Sequence, residues 1–366
     1  MRRKQPDLKP DMANLKPLDY NVLRLKGSQW QKLGKKKRED VVDSCVEYWR
    51  TRGFPYYKLS EIEIKEEYQR LQRTLKQRIL IGNEIQMSMV GVKLANYFHP
   101  QMWGVRVNGA HAPLERFNSD DKLRMVINRA LTIWSDRHSI NECNLRSMLR
   151  IFSNTTRVSN FRPTAAKAIF EEYSKDGDPV IDFSAGYGGR LLGCMTLNRH
   201  YIGIEPCRDQ VRGLHRMVAK LNKLVKPETR VTIHQGCAED ILTTLESKSV
   251  SLVFSSPPYF NNERYSKESS QSYIKYPVYE EWIKCFLEKV LCESHRILKP
   301  RGQLLMNIAD IEGFELTKDV VRLARKYFTL ENTLQLRLGH KPYLRNRTGK
   351  VYKHEPIFVF RKLRGK

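Results

Sequence analysis

From about residue 160 onward, short apolar runs alternate with amphipathic stretches, and no other feature constrains the fold as tightly. Pro163 to Tyr173 has helical spacing. Pro179 to Phe183 is an apolar run of strand length. His200 to Ile204, Arg230 to His234, Ser249 to Phe254, Gly302 to Ile308 and Pro356 to Phe360 read as further strands. Between them, Arg208 to Leu224, Tyr279 to Leu298 and Asp319 to Tyr327 read as helices. Such alternation implies an α/β fold with a doubly wound, mainly parallel sheet, and it places ligands at the C-terminal ends of the strands.

Those strand ends carry the chemistry. The first runs into Asp182-Phe183-Ser184-Ala185-Gly186-Tyr187-Gly188-Gly189-Arg190. Glycines there let the backbone turn tightly and approach a ligand, and the N-terminus of the following helix offers free N–H groups to an anion. A glycine turn alone is common in α/β folds, so its neighbours decide. Glu205 ends the second strand, where a carboxylate can accept both hydroxyls of a ribose; the alternative is an acidic residue serving a helix N-terminus. Gly236-Cys237-Ala238-Glu239-Asp240 follows the third strand, placed to border an adenine ring, with Asp240 itself read as a surface or helix-start residue.

The fourth strand leads through Ser255 into Ser256-Pro257-Pro258-Tyr259. Each proline fixes its φ and lacks an N–H, so the Pro257 carbonyl is held outward as a free acceptor. With the Ser256 side chain it can accept hydrogen bonds from a base NH2 and draw the nitrogen lone pair out of conjugation. Tyr259 offers an aromatic face to a base pulled from its stack. An ordinary proline turn is the bland alternative.

Together these motifs resemble the class I S-adenosylmethionine (SAM) methyltransferases, which are Rossmann-like, and within them the amino-methylating DNA methyltransferases. The resemblance spans roughly residues 158–361. It implies a cofactor site at Asp182, Ser184, Ala185, Gly186, Gly188, Glu205, Ala238, Glu239 and Ser255, with Phe161, Pro163 and Thr164 closing over the methionine end. It implies a catalytic loop at Ser256, Pro257, Pro258 and Tyr259. The order, cofactor motif before catalytic loop, is that of the family's gamma-type arrangement. Two departures stand out: only a short basic tail follows the catalytic domain, where a recognition region is usual, and the loop begins with Ser instead of Asp or Asn. Ser is commoner in the N4-cytosine enzymes. The implied activity is methyl transfer from SAM to the exocyclic amine of a flipped base in DNA, N4-cytosine favoured over N6-adenine. Two alternatives stay open: amino-methylation of an RNA base, and a catalytically silent nucleic-acid-binding protein on the same scaffold.

Charge fits a polyanion partner. The chain carries a net +25, of which residues 1–150 hold +12, residues 151–300 only +4 and residues 301–366 +9. Basic flanks around a balanced centre are an electrostatic footprint for nucleic acid; a basic protein without such a partner is the alternative. Arg264 and Tyr265, in the polar loop after the catalytic motif, and Lys341, Tyr343, Arg345, Arg347 and Lys350 near the C-terminus are the candidate contacts, with a solvated hairpin as the competing reading of 337–353.

Residues 1–40 read as a loosely ordered basic segment ending in Lys35-Lys36-Lys37-Arg38. Residues 41–157 read as a mainly helical region suited to DNA recognition, and 158–366 as the catalytic domain. Helices are expected at Glu39–Arg50, from Glu61 to about Ile81 behind a Ser60/Glu63 capping box, and from Asp120 to Asp136 with Trp134 on its apolar side. Seven cysteines without a Cys-x-x-Cys pair suggest a reducing, cytoplasmic setting, nucleoid-associated in a prokaryote or phage, and neither a disulfide framework nor a zinc site is expected. His340 and His354 lack partners at metal-ligand spacing, and no apolar run has transmembrane length. The oligomeric state is not legible.

Overall fold

The computed structural model describes residues 27–107, 110–133, 140–151, 158–262, 264–346 and 349–363, with backbone alone for 340–346 and 349–351. They fall into two compact units: one from the segments before Tyr56 and between Trp103 and Arg157, the other from Tyr57–Met102 and Val158–Lys366. This division differs from the boundary expected near residue 157, because 57–102 belongs with the sheet.

The first unit is helical. In the helix Lys35–Arg52, Val41, Val42, Cys45, Val46 and Trp49 recur at helical spacing and are buried, and Gly53 at φ +74° ends it. The basic run Lys35-Lys36-Lys37-Arg38 is therefore the first turn of this helix and not a loose segment. Leu123, Val126, Ile127 and Ala130 line one side of Asp120–Ile133, and Leu145, Met148 and Leu149 line Glu142–Ile151. Trp134 lies outside the described residues.

The second unit holds the sheet. Its strands are β1 (Leu80–Ile81), β2 (Glu84–Ile85), β3 (Pro179–Asp182), β4 (His200–Glu205), β5 (Arg230–Gln235), β6 (Val250–Ser255), β7 (Leu298–Asn307), β8 (Phe328–Asn346) and β9 (Gly349–Lys362). Their order across the sheet is β1-β2-β8-β9-β7-β6-β3-β4-β5. The pairs β5–β4, β4–β3, β3–β6 and β6–β7 are parallel, and β9 lies antiparallel to both β7 and β8. Alternate side chains sort to opposite faces. Val180, Leu252, Phe254, Leu305, Ile357 and Val359 pack into one core layer. Ile181, Val253, Leu304, Met306, Phe358 and Phe360 pack into the other. The winding reverses between β3 and β6, so the C-terminal ends of these two strands frame the crevice where a doubly wound sheet holds its ligand.

Three features depart from the sequence-based expectations. The capping box at Ser60 and Glu63 forms as expected, but its helix stops at Gln72. A turn and a four-residue helix then lead into the β1–β2 hairpin, which extends the sheet beside β8 through the parallel β2–β8 pair. β8 itself, nineteen residues long, was not anticipated. The long helix expected at Tyr279–Leu298 is present but winds as a π-helix over Trp282–Glu288.

Candidate active site

Asp182 closes β3 and is fully buried. Its Oδ2 accepts from Arg190 Nε at 2.7 Å and from the Tyr201 hydroxyl at 2.8 Å. Its Oδ1 accepts from the Ser255 hydroxyl at 2.8 Å and the Ser184 N–H at 3.3 Å. Arg190 also donates to the Ser184 carbonyl, and its guanidinium lies 5.4 Å from the Phe161 ring centre. Asp182 and Ser255, both expected to touch a cofactor, thus spend their polar atoms inside the protein. They shape the glycine turn by joining β3, β4, β6 and the helix Gly189–Cys194. Arg190 and Tyr201 were not anticipated as members of this hub.

The turn is close-packed for a steric reason. Gly186 and Gly188 adopt φ +56° and +75°, the left-handed region that favours glycine. A Cβ on Gly189 would stand 1.9 Å from the Phe161 carbonyl oxygen, so the segment before Pro163 runs against this helix start. Asn160 donates to the Tyr187 carbonyl at 2.7 Å and fixes the same approach.

Glu205 ends β4, buried, and accepts from the Gly186 N–H at 2.8 Å and the Cys207 N–H at 2.9 Å. The Gln210 amide lies 2.7 and 3.0 Å from its two oxygens and donates when its NH2 faces inward. Burial pushes the Glu205 carboxyl up to about 7, against the pull of the two N–H groups. Ala238 and Glu239 begin the helix after β5, both buried. Glu239 is paired with Lys275 at 2.8 Å, and Lys275 also meets Asp240 at 2.9 Å. Cys237, Glu239 and Asp240 approach one another closely enough to suggest metal ligands, but the Lys275 ammonium already bridges the two carboxylates.

The residues present fit the methionine and ribose ends of SAM. Thr164 is 1 % exposed, yet its hydroxyl has no partner, and neither has the buried NH1 of Arg162. Both lie at the start of the helix Pro163–Tyr173, where two unsatisfied donors and free N–H groups suit a carboxylate. Phe161 stacks edge-on against Phe254 at 5.5 Å. Glu205, at the end of β4 beside the glycine turn, is the carboxylate that would accept a ribose diol.

The Ser256-Pro257-Pro258-Tyr259 loop leaves β6 beside this hub. Ser256 and Pro258 are half-buried, Pro257 is buried, and Tyr259 is only 8 % exposed. Burial raises the Glu355 carboxyl above its ordinary range, and Asn307, Arg162 and Tyr259 nearby pull it back. Phe260 then takes φ +50°, unusual for a bulky side chain, and lodges its ring among Tyr279, Trp282 and Phe314 at 5.2, 5.7 and 5.2 Å.

The following loop turns back on the strand ends. Glu268 accepts from the Arg208 N–H at 3.3 Å, and the Ser270 carbonyl accepts from Cys237 Sγ at 3.4 Å. Tyr265 packs 5.8 Å from Tyr187 in the glycine turn, and exposed Arg264 stands 5.8 Å from Tyr273. Arg347 and Glu263 lie outside the described residues. Lys341, Tyr343, Arg345 and Lys350 sit in the β8–β9 hairpin, their side chains outside the description.

Strand order, glycine turn and acidic strand end together define a class I methyltransferase fold. Residues 250–366, about a third of the chain, match the N4/N6 methyltransferase family model described as DNA methylase. That segment includes Ser256-Pro257-Pro258-Tyr259. A stretch of 83 residues is 37 % identical to the type II methyltransferase M.BglI of Bacillus subtilis, covering 23 % of this chain and 21 % of that protein. The chain thus spans about a fifth of the curated relative it matches. Among solved structures, a tRNA (m1A58) methyltransferase of Aquifex aeolicus is 14 % identical at TM-score 0.39, covering 59 % of this chain and 75 % of that one. A SAM-dependent O-methyltransferase of Thermotoga maritima is 15 % identical at 0.36, covering 58 % and 70 %. Superpositions this loose carry no functional argument.

Proposed function

We propose that this chain transfers a methyl group from SAM to the exocyclic amino group of a base in DNA, the base being turned out of the helix, with N4-cytosine favoured over N6-adenine. The observation that carries the reading is the Ser255–Asp182 bond, which sets Ser256-Pro257-Pro258-Tyr259 directly beside the glycine turn. An amine held by the Ser256 side chain and the Pro257 carbonyl lies next to the crevice in which the methyl donor fits. SAM supplies an electrophilic methyl on a sulfonium. The amine nitrogen forms the new N–C bond as the S–C bond breaks, and one amine proton leaves to solvent. No ring activation is needed, so no cysteine nucleophile is called for. Alignment supplies most of the acceleration, and Tyr259 faces the base. The preference for cytosine rests on Ser256 standing where adenine enzymes more often carry Asp or Asn. The basic flanks supply phosphate contacts, with the helical unit and the β8–β9 hairpin as their sites.

Mass spectrometry of digested DNA, after expression in a host lacking DNA methylation, tests the reading. N4-methylcytosine is expected, and its loss in Pro257→Ala. N6-methyladenine alone would correct the base. Neither product, with tritium transferred to tRNA or rRNA, would move the substrate to RNA. Transfer to no nucleic acid would sink the enzymatic reading.

A further inference from the structure

Antiparallel pairing carries the β8–β9 hairpin past the edge where the parallel strands end. Asn307, the last residue of β7, lies opposite Ile357. Before Ile357, β9 stays paired with β8: Arg337 faces His354, His340 faces Tyr352, Arg345 faces Lys350 and Asn346 faces Gly349. At about 3.3 Å per residue, the stretch from Gly349 to Ile357 spans about 26 Å. It leaves the sheet at the same edge as the Ser256–Tyr259 loop and the glycine turn. From Arg337 to His354 the chain has six Lys or Arg and no Asp or Glu. Two register shifts, between Arg337 and His340 and between His340 and Arg345, bend and twist this ribbon.

The root of the ribbon is clamped. The Gln335 N–H donates to the Asn83 carbonyl at 2.7 Å, and the Asn332 amide to the Asn83 side chain at 2.9 Å. One residue on, Glu84 of β2 reaches both strands. Its Oε1 accepts from Arg337 Nε at 2.5 Å and lies 3.0 Å from His354 Nε2, the pair that face each other across the ribbon. The Arg337 guanidinium also covers the Tyr352 ring at 4.4 Å, and its carbonyl accepts from Arg162 at 2.6 Å, just before the helix Pro163–Tyr173. Half-exposed ion pairs add little stability, and a two-stranded ribbon beyond its sheet is marginal by itself. Joining both strands to β2 at one level fixes the direction in which the ribbon leaves.

We propose that the β8–β9 ribbon is an arm that enters the major groove of duplex DNA beside the target base, and that Glu84 is the positioning residue that sets its angle. The major groove of B-DNA admits a two-stranded β-ribbon, whereas that of A-form RNA is too narrow and deep to be read. A single-sign ribbon at the ligand edge therefore suits DNA, and it stands in for the recognition region that does not follow the catalytic segment. The inference deepens the methyl-transfer reading and rests on it for its sequence readout.

Two readouts test it. In the first, protein displaces methyl green, a major-groove dye, or netropsin, a minor-groove ligand, from plasmid DNA, with no turnover required. Wild type is expected to displace methyl green alone. Arg345→Gln/Lys350→Gln should need about tenfold more protein to do so, with SAM affinity unchanged. Lys226→Gln/Lys248→Gln, the same charge loss in exposed residues before β5 and β6 at the far edge of the sheet, should match wild type. In the second, sequencing of methylated host DNA reads the bases flanking each modified one, and the arm variant should relax that context. Glu84→Gln removes an acid, so charge alone predicts tighter DNA binding and no slower transfer. A misdirected arm instead gives a single-turnover rate about tenfold lower and a relaxed context, at an unchanged thermal midpoint. Rate and context unchanged in Glu84→Gln overturn the positioning role. Displacement of netropsin alone, or equal effects of the two double variants, overturns the groove assignment. Tighter binding to an RNA duplex than to DNA, lost in Arg345→Gln/Lys350→Gln, overturns it in favour of RNA. Methyl green displacement through the arm by a protein that methylates no DNA upholds the arm and overturns the methyl-transfer reading. DNA methylation whose context the arm variant leaves intact does the reverse.

Discussion

Ser255 donates its hydroxyl to Asp182 at 2.8 Å, and this one bond joins the end of β6 to the end of β3 where the sheet's winding reverses. Asp182 is thereby an anchor of the site more than a ligand in it. Asp182→Ala should leave the Arg190 guanidinium, 5 % exposed, without its buried counter-charge. The expected cost is about 3–5 kcal/mol. Ser255→Ala removes one donor from an acceptor that keeps three others and should cost only about 1 kcal/mol. Urea unfolding of the two variants checks the difference. Equal costs would mean that the hub is not organised around the carboxylate.

Glu205 gives a pH dependence whose sign can be worked out. Burial raises its folded-state value to about 7 from an ordinary 4.5. The neutral form is thus the comfortable one in the free protein. Its contribution to stability is full below about pH 4.5 and is lost as pH rises towards 7. Recognition of a ribose diol needs the ionised carboxylate as acceptor, so SAM affinity should run the other way, falling by up to about tenfold per pH unit below 7. Calorimetric titration from pH 5.5 to 8 measures it. Glu205→Gln should bind weakly with a flat profile; an unaltered slope in that variant would assign the titration to another group.

Why some of this was legible and some was not follows from the range of the interactions. The parallel strands and their glycine turn were readable because apolar runs and turn chemistry are local. β1 and β2 are two residues each, too short to show a period of two, and the helical pattern from Glu61 appeared to run through them. β8 alternates polar and apolar residues from Thr333 to Leu338, yet the alternation breaks at Asn332 before it and at Gly339 after it, and only pairing with β9 makes the whole length a strand. In the site, the acid at Asp182 was found but its internal partners were not, since nothing in the sequence places Arg190, Tyr201 and Ser255 around it.

Gly186 and Gly189 separate conformational from steric demand within one turn. Gly186→Ala has open space, its Cβ being 3.7 Å from the nearest atom, but must hold φ +56°. The expected cost is about 1 kcal/mol, with SAM affinity largely kept. Gly189→Ala would drive its Cβ to within 1.9 Å of the Phe161 carbonyl and 2.4 Å of Asn160 Oδ1. Backbone cannot yield there as a flexible side-chain tip can, so a loss of about 3 kcal/mol and of measurable SAM binding is expected. Thermal unfolding with and without SAM reads both effects. A Gly189→Ala protein that binds normally would show that Phe161 does not close on the turn.

Phe260 is where the loop after β6 stores strain. Its φ of +50° costs a bulky residue about 1–2 kcal/mol. What holds it there is the ring's seat against Tyr279, Trp282 and Phe314. Phe260→Gly relieves the backbone but empties the seat, a loss of about 3–5 kcal/mol before that relief. The net expectation is a destabilisation of about 2–3 kcal/mol. Phe260→Leu keeps part of the seat and the strain, so it should be nearer wild type in stability. Function should order the variants the same way. The turn Tyr259–Asn262, closed by the Asn262 N–H to the Tyr259 carbonyl at 3.0 Å, is held from behind by this ring. Loosening it should lower the single-turnover rate more than SAM affinity in both variants, and more in Phe260→Gly. If Phe260→Gly were as stable as wild type and as fast, the ring's seat would not be what orients Pro257 and Tyr259.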